Sequence, residues 1–347
     1  MAGNVIPLHG DNGNAGSPVI DTHVHSLPEP LLRSMAGQES GSGGVAVRKT
    51  DDGWLVTLPG SAPKLVRPPM ADAARRALIA TKQGVTAQVV SPWLDAQPTE
   101  AMSEGQARDW SRRLNEALAE QEGGHGVLAT VPLTTRAADD LTAAVERGAA
   151  GLILSTSPPG AEDLADRALE PLWEAAAGLA VPVVLHPPTD GPSRVLPGAA
   201  EFGNTFCRLV DSTFAVTKLL LSGVLDRHPE LRLVVVHGGG FLPYQSLRLD
   251  GGHRADALAR YDIERDHPSD YLTDLYFDTV AMKATAIAFL AESVGPGRVL
   301  LGSDYPFPLG DPAPVETVRA ARLSDTATAA VLGGNAARLF PSVSVLE

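Results

Sequence analysis

The sequence predicts an α/β protein in which eight parallel strands alternate with helices, a (β/α)8 barrel carrying a small inserted β-hairpin after the first strand. Three observations predict it. Apolar runs of strand length alternate with segments of helical periodicity along 347 residues, and such alternation means parallel strands joined by right-handed crossovers. Most of those runs are apolar on both faces, as buried parallel strands are. Finally, several of them end on a residue able to hold a metal ion, and the chemistry of a barrel sits at the C-terminal ends of its strands. A doubly wound sheet is the second architecture compatible with the same pattern.

In order, the first strand is the entry Pro18-Val19-Ile20 running into Asp21-Thr22-His23-Val24-His25 and stopped by Pro28. A Gly/Ser-rich run at 37–44 follows. Two apolar runs, 45–48 and 54–58, then flank an Asp-Gly turn and read as a β-hairpin. Residues 37–69 are thus an excursion from the main fold. A helix starts near Asp72 and stops at Gly84. Further strands are expected at 85–91, 127–131, 151–155, 181–186, 231–237, 275–280 and 299–304. Helices are expected at about 103–122, 135–147, 169–179, 204–226, from 241, at 284–292 and at 325–339. The helix at 204–226 carries Phe206, Val210, Phe214, Thr217, Leu221 and Val224 at spacings of three and four, the stripe of an amphipathic helix.

Composition narrows the partners. A net charge of −13 argues against nucleic acid or an anionic membrane, because both polyanions need a basic patch. Small molecules are the expected ligands. The single cysteine, Cys207, allows no intrachain disulfide, and the cytoplasm is the expected compartment. Residues 1–18, rich in Gly and Asn, read as a disordered tail without signal-peptide character, leaving 19–347 as one metal-dependent domain. No run is long and apolar enough to span a bilayer.

Alternation places Asp21, His23 and His25 on one face of the first strand. Two imidazoles at i and i+2 can grip one ion. The pair gains weight because the fifth strand ends on His186, the sixth on His237 and the eighth on Asp304. Imidazoles and a carboxylate suit a divalent cation, Zn²⁺ first, with iron, cobalt and manganese also compatible.

Taken together, Asp21-Thr22-His23-Val24-His25, Val184-Leu185-His186-Pro187, Val236-His237-Gly238-Gly239-Gly240 and Gly302-Ser303-Asp304-Tyr305-Pro306-Phe307-Pro308-Leu309-Gly310 resemble the amidohydrolase superfamily in its amidohydrolase-2 branch. Within it the α-amino-β-carboxymuconate-ε-semialdehyde decarboxylase family is the best match, from the first strand to about Phe340. The resemblance implies a TIM-barrel, metal-dependent, non-oxidative decarboxylase without an organic cofactor. It implies metal ligands at His23, His25, His186 and Asp304, and His237 as general acid/base working with a metal-bound water. It also implies that Arg248 and Arg67 grip substrate carboxylates, Arg248 from a neighbouring subunit of a homodimer. Phe307 matches a ring lining the substrate pocket.

By residue type alone, Arg67 and Arg248 read as solvated surface charges, and Asp278, ending the seventh strand, reads as a salt-bridged structural carboxylate or a support for a ligand. His9, His125, His228, His253 and His267 are assigned no chemistry. The chain departs from the family at Pro188, where an aromatic is usual, and in the longer run at 37–44. Both departures fall at the expected substrate pocket, so the acid could be an o-hydroxy aromatic or an amino- or hydroxymuconate-type dicarboxylate. A hydrolase or hydratase on the same scaffold is the rival activity, and a metal-stabilised binding protein is a third reading.

Overall fold

The structure, a computed structural model, describes residues 17–37, 44–123, 126–255, 257, 258, 261 and 263–343. The tail expected at 1–18 lies outside the described residues up to residue 16, as does the expected run at 37–44 between its two ends.

Eleven strands occur among the described residues: β1 (Ile20–Ser26), β2 (Ala46–Thr50), β3 (Gly53–Thr57), β4 (Lys64–Val66), β5 (Ala87–Pro92), β6 (Leu128–Ala129), β7 (Gly151–Ser155), β8 (Pro182–His186), β9 (Arg232–Val235), β10 (Tyr276–Asp278) and β11 (Val299–Leu300). β1 pairs in parallel with β5. β6 to β11 form one sheet in sequence order, every pair parallel. Single bridges link Val90 to Val127 and Val24 to Tyr305, and the Thr22 amide donates to the Leu301 carbonyl at 2.8 Å. The fold is therefore α/β with parallel strands.

Two cores explain why the strand runs look apolar on both faces. Leu152, Leu154, Val183, Leu185, Leu233 and Val235 pack outward with helix residues such as Leu141, Trp173 and Leu219. The intervening Ile153, Val184 and Val234 join Ile20, Val89, Leu128 and Leu300 in a second cluster. Period-two alternation then aims His186 along the same face as Val184. That parity puts an imidazole above an apolar floor.

β2, β3 and β4 form a separate antiparallel sheet, with Thr50 opposite Gly53 at the first turn. Trp54 and Val56 pack it against Leu27, Leu32, Trp110 and Leu114. Trp110 lies on helix Glu104–Gln121, which opens with a capping box: Ser103 accepts from the Gln106 amide while the Gln106 side chain accepts from the Ser103 amide. Trp110 is fully buried, and its Nε1 donates to the Ala96 carbonyl at 2.6 Å. Trp110→Ala is expected to cost about 3–5 kcal/mol, read as a lower denaturant midpoint.

Three expectations need correction. Only the C-terminal end of the expected stripe, Leu221 and Val224, faces the core; Phe206 and Phe214 are 54% and 66% exposed. Helix Arg208–Leu221 buries Ser212, Ala215, Val216, Leu219 and Leu220 instead, and Gly223 at φ 70° ends it before a short turn of helix. Spacing alone could not choose between two faces that both carry apolar residues. Secondly, the last two strands with site residues stop early. β9 ends at Val235 and β11 at Leu300, and beyond them His237 (φ 55°) and Asp304 (φ 60°) adopt left-handed backbone conformations. Thirdly, the C-terminal helix is broken into Asp325–Ala329, a π turn at Ala330–Gly334, and Asn335–Leu339. Gly333 sits against β1 there; a Cβ would fall 1.8 Å from the Pro18 carbonyl oxygen.

Candidate metal centre

Ligand atoms of His23, His25, His186 and Asp304 all lie within 4.8 Å of one another, and all four residues are buried. The His23 and His25 Nε2 atoms are 3.0 Å apart, and Asp304 Oδ1 lies 3.2 and 3.3 Å from them. A tetrahedral ion with bonds of about 2.0–2.2 Å separates its donors by about 3.3–3.6 Å. The observed spacings are close to that edge length.

Each imidazole is oriented by its other nitrogen. His23 Nδ1 is 2.6 Å from Asp278 Oδ2, so its N–H donates to that carboxylate. The Ser91 hydroxyl already donates to the Val24 carbonyl at 3.0 Å, so it accepts from His25 Nδ1, also at 3.0 Å. His186 Nδ1 donates to the Pro187 carbonyl at 2.8 Å. These partners assign the tautomers. The three Nε2 atoms then converge, and two of them face each other at hydrogen-bond distance, a contact that requires a proton or a metal ion between them. His186 Nε2 and Asp304 Oδ1 have no hydrogen-bond partner although buried. Orphaned buried acceptors of this kind are rare and require an explanation. The donor set fits a divalent metal.

Charge supports the same conclusion. Burial disfavours the His23 imidazolium, yet the nearby Asp304 charge and the hydrogen bond to Asp278 outweigh it and push its pKa up to about 10. Burial holds His25 down to about 4. Burial, neighbouring imidazoles and Arg208 hold His186 well below its usual range. Asp304 resists its own burial because His23 and the other imidazoles favour the carboxylate, so it stays well below the usual range. The centre thus favours one positive charge at His23 and Asp304 beside two imidazoles held neutral.

Asp278 proves to be a support for a ligand. Besides His23 it accepts from the Gly238 amide at 2.8 Å and the Val280 amide at 3.1 Å. Gly302 permits the approach: a Cβ there would lie 3.0 Å from His23 Cβ and 3.1 Å from Asp278 Cβ. Asp278→Asn is expected to weaken metal affinity by about 10–100-fold in a competitive chelator titration. Asp21, by contrast, is not among the four converging residues. It accepts from the Ser303 amide and hydroxyl at 3.0 and 2.5 Å and ties β1 to the segment bearing Asp304.

His237 belongs to the same cluster without being one of the four. Its Nε2 is 3.5 Å from Asp304 Oδ2, its ring centroid 5.1 Å from those of His23 and His186, and its Nδ1 has no partner. His237 and Asp304 are both held in a sparsely populated backbone region, a strain of about 1–3 kcal/mol each that surrounding structure must sustain. Gly240 (φ 64°) completes the turn, where a Cβ would lie 2.5 Å from the Leu209 carbonyl oxygen.

A cavity of about 370 Å³ opens onto His237 and Asp304. Leu209, Val280, Met282, Phe307 and Leu309 give it an apolar wall, and Arg208 and Tyr244 add polar groups. Phe307 packs 5.3 Å from the His25 ring. Arg67 and Arg248 are placed elsewhere: both are exposed, Arg67 ahead of helix Pro68–Ala71 and Arg248 on helix Leu242–Arg254, and neither lines the cavity. Ser91, Arg208 and Tyr244 escaped the sequence reading. Ser91 closes the second apolar run and obeys the strand-end rule; nothing in the sequence marks the other two.

A family model described as Amidohydrolase (Amidohydro_2) matches residues 20–342. The chain belongs to this amidohydrolase family. It is 29% identical over 198 residues to 2-amino-3-carboxymuconate-6-semialdehyde decarboxylase of Dictyostelium discoideum, a match covering 55% of this chain and 53% of that protein, about half its length. It is 25% identical to 2-keto-4-carboxy-3-hexenedioate hydratase of Sphingobium sp. over 75% of this chain and 80% of the relative. Among solved structures, dihydroxybenzoic acid decarboxylase of Polaromonas sp., with bound manganese and the inhibitor 2-nitroresorcinol, superposes with a TM-score of 0.74 at 22% identity, covering 93% of this chain and 97% of that one. That likeness extends the shared α/β fold across nearly the whole amidohydrolase chain. Among the described residues, no helix is long and apolar enough to cross a membrane.

Proposed function

We propose that this amidohydrolase is a metal-dependent, non-oxidative decarboxylase of an unsaturated or aromatic carboxylic acid. One observation carries the reading: three oriented imidazoles and Asp304 converge beside His237, and His237 and Asp304 line a largely apolar cavity. Parallel strands in sequence order and the bridges at Val24 and Val90 support closure into the eight-stranded barrel.

His23, His25, His186 and Asp304 would hold the ion, with zinc the first choice on ligand type and manganese the ion named for the Polaromonas relative. A divalent cation bound there supplies Lewis acidity towards substrate oxygens. Phe307 and the apolar wall hold an unsaturated or aromatic skeleton and exclude water. His237 delivers a proton to the carbon that carries the carboxylate. The new C–H bond takes its pair from the adjacent double bond; the bond from that carbon to the carboxylate then breaks, its electron pair restores the double bond, and CO₂ leaves. Imidazole suits this transfer because its ordinary pKa lies near neutrality. Asp304, 3.5 Å away, orients the ring.

Arg248 lies outside its own cavity, so any contact of that side chain with substrate is made in a second copy. This supports a homodimer, as do the exposed Phe202, Phe206, Phe214 and Leu247. Arg67 is kept as a second carboxylate contact on family register alone.

Turnover of a panel of unsaturated and aromatic acids in H₂¹⁸O tests the reaction. Decarboxylation predicts stoichiometric CO₂ and no ¹⁸O in the organic product. A hydratase, favoured by the similarity to the Sphingobium enzyme, would release no CO₂ and incorporate one solvent oxygen.

A further inference from the structure

Arg208 stands apart from the arginines that bind carboxylates within the chain. Arg108 is paired with Asp140, Arg112 with Asp109, Arg227 with Glu170 and Arg265 with Asp274. Arg208 is half-buried and meets only neutral acceptors: its Nε donates to Asn204 Oδ1 at 3.1 Å, Nη1 to the Pro187 carbonyl at 3.2 Å and Nη2 to Thr189 Oγ1 at 2.5 Å. No carboxylate lies within ion-pair distance of it among the described residues. A guanidinium has five N–H donors, so each terminal nitrogen keeps one N–H uncommitted.

Its position is tied to the metal centre. The Pro187 carbonyl accepts from both His186 Nδ1 and Arg208 Nη1, so the guanidinium lies one carbonyl away from a ligand imidazole. On its far side Thr189 accepts from Arg208 and donates to Asp95 at 2.6 Å. Three neutral contacts from one helix and one loop hold the fork rigid while leaving its charge uncompensated. The same side chain lines the cavity that contains His237 and Asp304. Of Arg67, Arg208 and Arg248, only Arg208 does so.

We propose that Arg208 is the residue that receives the substrate's carboxylate from within the same subunit, setting the preference of the cavity for acids over their neutral analogues. This rests on the cavity being the substrate site of the proposed decarboxylase. An arginine fork binds a carboxylate with direction as well as charge, and here it would orient the acid against the imidazole cluster. Tyr244, whose buried hydroxyl has no partner, lines the same cavity and offers a donor to a second oxygen of such a ligand.

Calorimetric titration of the metal-loaded protein with 2,6-dihydroxybenzoate and with its neutral carboxamide tests the proposal without requiring turnover. The wild type is expected to prefer the carboxylate. Arg208→Gln is expected to weaken carboxylate binding by about 10–100-fold, with carboxamide affinity and metal content unchanged. Arg208→Lys, which keeps the charge but not the fork, is expected to fall between them. Equal loss of both ligands in Arg208→Gln, or no carboxylate preference in the wild type, would overturn the proposal. CO₂ release is measured separately. Selective binding without CO₂ would retain Arg208 as the acid-binding residue and remove the decarboxylase reading.

Discussion

His237→Ala is expected to lower kcat by about 10²–10⁴-fold, the usual contribution of a positioned general acid or base, while the protein keeps its full metal content. The split between these two readouts follows from geometry. His237 Nε2 approaches Asp304 Oδ2, whereas the four converging donors are His23, His25, His186 and Asp304 Oδ1. Deleting the ring therefore removes a proton carrier and no ligand. Measuring kcat beside elemental analysis of the same preparation checks it. Loss of metal in step with activity would make His237 a fifth ligand and remove its separate role.

The second large effect is expected at His186. Its Nε2 has no protein partner, and its Nδ1 bonds only to the neighbouring Pro187 carbonyl, so His186→Ala deletes one ligand without stranding a distant group. Metal affinity should collapse and activity with it. Stability gives an independent signature. An ion that binds only the folded chain stabilises it by about 4 kcal/mol at a thousandfold excess over Kd. The wild-type thermal midpoint should rise on adding manganese or zinc and fall on chelation. The midpoint of His186→Ala should respond to neither. An ion-dependent rise of the same size in the variant would place the binding site elsewhere.

How much of this was legible follows from the range of each interaction. The ligands could be read because parallel strands end at one rim, so a residue's place at the end of its own apolar run carries three-dimensional information. That rule gathered His23, His25, His186, His237 and Asp304, and the family resemblance set His237 apart from the other four. The supports were only partly legible: Asp278 stood out as the end of the seventh run, as a structural carboxylate or a support for a ligand. Asp278 reaches His23 across 255 positions of sequence, and only packing shows that its carboxylate orients an imidazole. Arg208 sat unnoticed within a helix whose apolar stripe drew attention, although the structure leaves Phe206 and Phe214 exposed. Helical periodicity locates a face but does not say what covers it. Left-handed backbone at His237 and Asp304 was equally hidden, since neither is glycine and strain of this kind is imposed by the surrounding fold.

The distribution of charge also gains a physical sense. An acidic chain could hold an anionic substrate only through local cations, and family register named Arg67 and Arg248 for that task. Within one subunit both are exposed and outside the cavity. The cation that lines it is Arg208, next to the imidazole cluster and without an anionic partner among the described residues.

Anomalous diffraction from crystals of the metal-loaded protein, recorded at the edge of the added ion, tests the central claim most directly. One peak per chain is expected within about 2.0–2.3 Å of the Nε2 atoms of His23, His25 and His186 and of an Asp304 carboxylate oxygen. A chain that shows no peak between these four side chains, or whose only peak lies elsewhere, would contradict it.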